Sequence, residues 1–212
     1  ALLDGYGIDT SRLPLKEGYR GVQEVVFAAG DTRTIFGTYG ALLENEEWNT
    51  PRDEDVTAAN VVCLDPFFAR PAARVAEVAS AAGVPVVTVD CRHDSPLLNH
   101  ASATVIAESF IREQYPGRPI DDLFSQYRAA TAGLVVFTFG SKPARYARGG
   151  EDVRLLPPFP IEAVDTTGAG DVFHGAFCYG LTQGFAMDEN LAFASATAAL
   201  KCRRLGGRAG IP

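Results

Sequence analysis

Apolar and polar positions along the chain follow two different periods. Near the N-terminus, "GVQEVVFAAG" (residues 21–30) is β-branched and apolar, Asp31 reads as a turn residue, and "TRTIFGTYG" alternates with a period of two. These segments predict a β-hairpin with one polar face. The acidic run "ENEEWNTPRDED" (44–55) holds a proline and predicts a solvated loop. From residue 60 the grammar changes. "NVVCLD", "VPVVTVD", "ATVIAES" and "LVVFTFG" are short, continuous apolar runs. Helical patterns separate them: "RPAARVAEVASAAG", with Pro71 near its start and Gly83 at its stop, and "DDLFSQYRAATAG". "RYARGGEDVRLLP" predicts a small hairpin around Gly149 and Gly150, and two helices close the chain, over 169–184 and 188–203. Strands apolar on both sides, alternating with helices, predict an α/β fold: a mostly parallel central sheet flanked by helices on both faces.

In open sheets of this kind ligands bind beyond the carboxyl ends of the strands. Asp65 and Asp90 fall at such ends, as do Thr138, Phe139 and Gly140. The turn Gly168-Ala169-Gly170-Asp171 opens a helix after an extended segment, so several polar groups are expected on one rim.

Composition narrows the partners. The 212 residues are 47% hydrophobic, enough to bury a core, and carry a formal charge of −7. An acidic balance excludes a duplex nucleic-acid binder, which needs a basic face, but leaves room for a nucleotide held by a few local donors. The cysteines, Cys63, Cys91, Cys178 and Cys202, form no C-x-x-C pair, so zinc and thioredoxin-type chemistry are unsupported and free thiols in a reduced compartment are expected. No apolar run is long enough to span a bilayer and no signal peptide is visible, which places the expectation in the cytoplasm, without a membrane partner. The chain starts at Ala1 rather than at a methionine, so a piece of a longer protein is expected.

The stretch "AVDTTGAGDVFHGAF" (163–177) carries the chemistry. A helix starting near Ala169 has first-turn amides without partners in the helix, backed by a partial positive charge. Gly168 and Gly170 remove side chains that would keep a phosphate from those donors. The result is an anion hole suited to charge that develops on a phosphoryl group in transfer. Asp171, in the same turn, can take the proton from an attacking hydroxyl. The competing reading is an acid that merely favours a helix N-terminus, worth about 0.3–1 kcal/mol; the flanking glycines and threonines turn the balance towards catalysis. A dinucleotide fingerprint is excluded, because Phe173 fills its third glycine position.

The segment Asp165-Thr166-Thr167-Gly168-Ala169-Gly170-Asp171 resembles the D-T-x-G-A-G-D signature of the ribokinase-like (PfkB) carbohydrate kinase family. The resemblance implies that Asp171 is the catalytic base, that the backbone of Gly168, Ala169 and Gly170 forms the anion hole, and that Asp165 and Thr167 lie near a monovalent-cation site, K⁺ in members that use one. "VVFTFGSK" is similar to the family's nucleotide-binding strand and turn, so Thr138, Gly140 and Ser141 would line an ATP site; alone they read as a strand-to-turn exit. "ALKCRRLGGRAGIP" is similar to the closing segment that frames adenine and cation, which assigns Arg204, Gly206 and Gly210 there; alone, Gly206 and Gly207 read as a helix C-cap. The hairpin at 21–40 resembles the lid over the sugar, and its exposed edges make a homodimer plausible.

The match has gaps. The family's Gly-Gly-Asn signature and the opening strand with its sugar-binding Asp have no counterpart, so the expectation is one ribokinase-like domain over 1–212, lid hairpin included, lacking an N-terminal piece. The family's N-x-x-E motif is reduced to Ala107-Glu108-Ser109-Phe110, where Glu108 either acts through water on Mg²⁺ or simply begins a helix. Arg92 either steadies transferred charge or pairs with Asp90 or Asp94. His174, where the family often has Asn, either reaches the rim or packs; Arg203 and Arg208 are expected in solvent. The implied activity is transfer of the γ-phosphoryl group of ATP, with Mg²⁺, to a hydroxyl of a small sugar or sugar acid. Two alternatives stay open: a nucleoside or other small-alcohol kinase on this scaffold, and a non-catalytic relative that binds sugar or nucleotide.

Overall fold

The computed structural model describes residues 3–13, 17–19, 21–29, 32–45, 48 and 50–212. They fall into two compact units, 1–49 and 50–212. In the first, β1 (Gln23–Ala29) and β2 (Thr32–Thr38) pair antiparallel, with Val25 opposite Phe36 and Val26 opposite Ile35. The expected turn residue Asp31 lies outside the described residues. The expected polar face is not formed. Val25 and Val26 are adjacent, so a period of two sends one to each side, and Val25, Val26, Phe27, Ile35 and Phe36 are all exposed.

The second unit holds a six-stranded sheet in the order β3-β4-β5-β6-β7-β8. The strands β3 (Val62–Leu64), β4 (Val86–Val89), β5 (Ala103–Ala107) and β6 (Leu134–Phe139) run parallel, and β7 (Lys142–Arg148) and β8 (Arg154–Leu156) are antiparallel additions. In chain order the α-helices among the described residues are α1 (Gly40–Glu44), α2 (Asp53–Thr57), α3 (Ala69–Ala81), α4 (Glu108–Gln114), α5 (Ile120–Ala130), α6 (Ala169–Thr182) and α7 (Met187–Lys201). Strand alternation sorts the strand side chains into two cores. Val86, Ile106, Val135 and Phe137 pack with Ala76 of α3 (Ala69–Ala81) and with Leu123, Phe124 and Tyr127 of α5 (Ile120–Ala130). Val87, Val105, Leu134 and Val136 meet Phe173 and Phe177 of α6 (Ala169–Thr182) and Leu191 and Ala194 of α7 (Met187–Lys201). Each large side chain buried this way contributes roughly 1.5–3 kcal/mol. The mostly parallel sheet with helices on both faces is therefore as the sequence predicts.

Two local features differ from expectation, and Glu108 takes the helix-start reading of its two. Within the predicted acidic loop, residues 53–57 form a short helix; Asp53, Glu54 and Asp55 occupy its first turn, where acids are favoured, and Arg52 pairs with Asp55 at 2.9 Å. β7 begins at Lys142, before the predicted hairpin, because Gly140 takes φ +61° in a two-residue turn that sets Phe139 opposite Lys142. Glu108 opens a helix over Glu108–Gln114 directly after β5. On the far face, α6 and α7 approach closely at Gly180: any side chain there would collide with Asn190, whose buried amide donates to the Phe177 carbonyl at 3.0 Å.

Candidate active site

The head of α6 is built by short-range bonds. Asp165 turns its Oδ1 to the Thr167 amide at 2.8 Å, and the Ala169 amide closes a turn on the Thr166 carbonyl at 3.1 Å. The chain then enters the helix through Gly168, at φ +76°, where a Cβ would stand 3.1 Å from the Gly207 carbonyl oxygen. Only glycine takes that conformation without strain. The Ala169 amide is thus committed internally, which removes it from the expected set of anion donors. The amides of Gly168, Gly170 and Asp171 have no acceptor among the described residues. At Gly170 a Cβ would meet nothing within 4 Å, so the backbone there opens to free space. The Asp171 carboxylate is exposed, and among the described residues it forms no hydrogen bond or ion pair.

The closing segment folds back onto this turn. The Gly206 amide donates to Asp165 Oδ2 at 2.7 Å, and Val164 and Asp165 donate their amides to the Cys202 carbonyl at 2.8 and 3.1 Å. Bonds from the Thr167 amide and hydroxyl and from the Gly206 amide hold the Asp165 carboxyl at about 2, below its ordinary 3.8. Of the residues expected around a monovalent cation, Asp165, Thr167, Arg204 and Gly210 all lie on these two joined segments.

A cavity of about 740 Å³ runs from the turn along α6 and α7. Thr167, Gly168 and Asp171 line one part, and Tyr179, Phe193 and Thr197 another; Gly207, Arg208 and Ile211 of the closing segment complete it. Its size is within the range of small-molecule sites. Tyr179, Phe193 and Thr197 escaped the sequence reading, which placed Arg208 in solvent without a role. Arg208 is exposed, as expected of a solvated arginine, yet it borders the same cavity as Asp171. The first three sit mid-helix with no motif around them, and only α6–α7 packing brings them to the turn.

The other candidates stand at the carboxyl ends of the parallel strands. Asp65 follows β3 and accepts from the Phe67 amide at 2.6 Å. Asp90, at φ +45° after β4, accepts from the Ala107 amide at 2.8 Å; burial raises its pKa, with a further push from the Asp65 charge. Arg92 pairs with Asp94 at 3.2 Å and lies 5.3 Å over the Tyr115 ring. Burial lowers the pKa of half-buried His174, against the opposing pull of the Asp171 and Asp65 charges. Thr138, next to last in β6, pairs with Ala107, and Gly140 and Ser141 form the turn to β7; none of the three lines the cavity that holds Asp171. Glu108 accepts from Lys142 at 2.9 Å, and among the described residues no three His, Cys, Asp or Glu side chains are grouped to hold a metal. This donor set does not fit a protein-built Mg²⁺ cage. The cysteines are free, and a thiol–thiol hydrogen bond between Cys63 and Cys178 lowers the pKa of the first and raises that of the second. Among the described residues no helix is long and apolar enough to cross a membrane.

Comparison with known proteins adds the following. The sequence profile of the pfkB family carbohydrate kinases matches residues 1–212. The chain is 33% identical over 149 residues to the ribokinase of Bacillus subtilis, an alignment that covers 61% of this chain and 49% of that protein. The structure of Arabidopsis thaliana ribokinase complexed with ribose and ATP superposes with a TM-score of 0.73 at 27% identity, over 89% of this chain and 65% of that one. A Burkholderia thailandensis nucleoside kinase in complex with inosine shares the fold, with a TM-score of 0.73 at 18% identity, over the whole of this chain and 72% of that one. The chain therefore spans about half to two thirds of the ribokinases it matches.

Proposed function

Because the chain belongs to the pfkB family of carbohydrate kinases, we propose that it transfers the γ-phosphoryl group of ATP to a hydroxyl of a small sugar or sugar acid, with the head of α6 as the reaction centre. One observation carries this reading. In a single turn, the amides of Gly168, Gly170 and Asp171 have no acceptor among the described residues, the backbone at Gly170 opens to free space, and the Asp171 carboxylate forms no hydrogen bond or ion pair among those residues. Such a turn suits phosphoryl transfer better than structural duty, since a helix-capping acid needs no glycine-cleared approach.

The chemistry follows. Asp171 accepts the hydroxyl proton as the sugar oxygen bonds to the γ-phosphorus and the bond from that phosphorus to the β–γ bridging oxygen breaks. The three amides receive the charge that builds on the equatorial oxygens, in a site where they are already aligned. Arg208 supplies a positive charge at the cavity wall. The apolar stretch along Val172, Ala176 and Phe193 suits the base of the nucleotide. Charge neutralisation of the phosphates would come from Mg²⁺ bound to the nucleotide, held by phosphate and water oxygens rather than by a set of protein ligands. Thr138, Gly140 and Ser141 are assigned to the outer part of the nucleotide site.

The hairpin is assigned as sugar lid and as a contact between two copies of the chain. Support comes from its two apolar faces, with Phe27 63% and Phe36 62% exposed. Free thiols and the need for ATP favour the cytoplasm. A direct test is ADP release on a panel of pentoses, hexoses, sugar acids and nucleosides. We expect turnover with a sugar or sugar acid. Preference for a nucleoside would move the acceptor class, and ATP binding without turnover on any acceptor would leave a non-catalytic binder.

A further inference from the structure

Lys201, the last residue of α7, is fully buried, at 0% exposure. A buried ammonium is costly unless oxygen atoms replace its water. Its Nζ donates to the Asp165 carbonyl at 3.0 Å, and among the described residues no carboxylate forms an ion pair with it. Asp165 has turned both carboxylate oxygens to amides, of Thr167 and Gly206, and its carbonyl to this ammonium. The Arg204 amide bonds back to the Lys201 carbonyl at 3.4 Å, and a side chain at Gly210 would collide with that same carbonyl. Three of the four residues expected around a monovalent cation, Asp165, Arg204 and Gly210, therefore contact Lys201 itself.

We propose that the Lys201 ammonium is the resident monovalent cation of this protein, and that no K⁺ is needed there. A lysine ammonium and K⁺ both place one positive charge among carbonyl oxygens. The lysine is tethered, so its charge is present at every salt concentration. It joins segment 163–168 to segment 204–210, and that junction sets Gly168 against Gly207 and aims the open amides of the turn. Lys201 is thus a positioning residue. The binding part of the proposal stands apart from the kinase reading; only its effect on rate rests on that reading.

The test compares KCl, NH₄Cl, NaCl and choline chloride at equal ionic strength, reading Tm and ATP-dependent turnover of the full-length protein. For the wild type we expect the same Tm and the same kcat in all four salts. Lys201→Ala is expected to lose about a hundredfold in kcat, the scale of a misplaced reaction centre. K⁺ and NH₄⁺ should restore part of both its kcat and its Tm, and choline neither. A purely structural lysine would not give size-selective rescue. If Lys201→Ala does not fold, the wild-type series decides alone. A wild-type Tm that rises specifically with K⁺ overturns the proposal, as does a folded Lys201→Ala with unchanged kcat and no cation response. The Tm readings need no turnover, so a protein without kinase activity would still answer the question of the cation.

Discussion

Of the helices that begin with acids in the first turn, α5 and α6 have heads built for different ends. At α5, Pro119 precedes Ile120, Asp121 and Asp122, and the Leu123 amide bonds the Pro119 carbonyl at 3.1 Å. Asp121 is taken up by Arg145, whose guanidinium lies 5.7 Å over the Phe124 ring. At α6, Gly168 and Gly170 bracket the start, and Asp171 stands exposed and unclaimed. Both acids gain the same dipole stabilisation, about 0.3–1 kcal/mol. The acid is therefore not the mark of a site. The mark is the pair of glycines that clears the approach and the absence of a protein partner for the carboxylate.

This contrast can be broken by substitution. Asp171→Asn should lower kcat at least about a hundredfold, the loss of a general base, while ATP binding measured by calorimetry persists. Asp121→Asn, the matched change at the other head, should leave kcat alone and cost less than about 1 kcal/mol, as exposed pairs do. Equal losses at both positions would erase the distinction. Gly170→Val should fill the open space and cost about a hundredfold in turnover, comparable to losing an oxyanion donor, with little change in Tm; retained kcat would count against the anion hole. Gly168→Ala should act on the fold first. A left-handed conformation costs a non-glycine residue about 1–2 kcal/mol, and the new Cβ would press on the Gly207 carbonyl, so a lower denaturation midpoint is expected.

The smallest effect concerns pH. The folded Asp165 carboxyl lies at about 2 against an ordinary 3.8. A depressed carboxyl contributes stability that is fully present above the ordinary value and lost as pH falls through the folded one. Denaturation midpoints should therefore fall between about pH 4 and pH 2, and Asp165→Asn should flatten that limb.

The contrast also explains how far the sequence could be read. The strands and the two-faced sheet were legible because continuous apolar runs report burial on both sides, as Val135 and Val136 do by facing opposite cores. The α6 head was legible because its geometry is local: Gly168, Gly170 and Asp171 are spelled out within one turn. The commitment of the Ala169 amide to Thr166 was missed, since a turn hydrogen bond leaves no compositional trace. Tyr179, Phe193 and Thr197 were missed because their place depends on α6 meeting α7 across Gly180 and Asn190, a contact between distant segments. Lys201 was missed because its burial depends on the chain returning against its carbonyl at Gly210, a contact that no local pattern encodes.

The amides of the α6 head answer most directly for the central claim. Adding ADP with aluminium fluoride, a mimic of the phosphoryl group in flight, to ¹⁵N-labelled protein should shift the Gly168, Gly170 and Asp171 resonances strongly and leave Ile120, Asp121 and Asp122 in place. Bound nucleotide with unmoved Gly168, Gly170 and Asp171 amides would contradict the account.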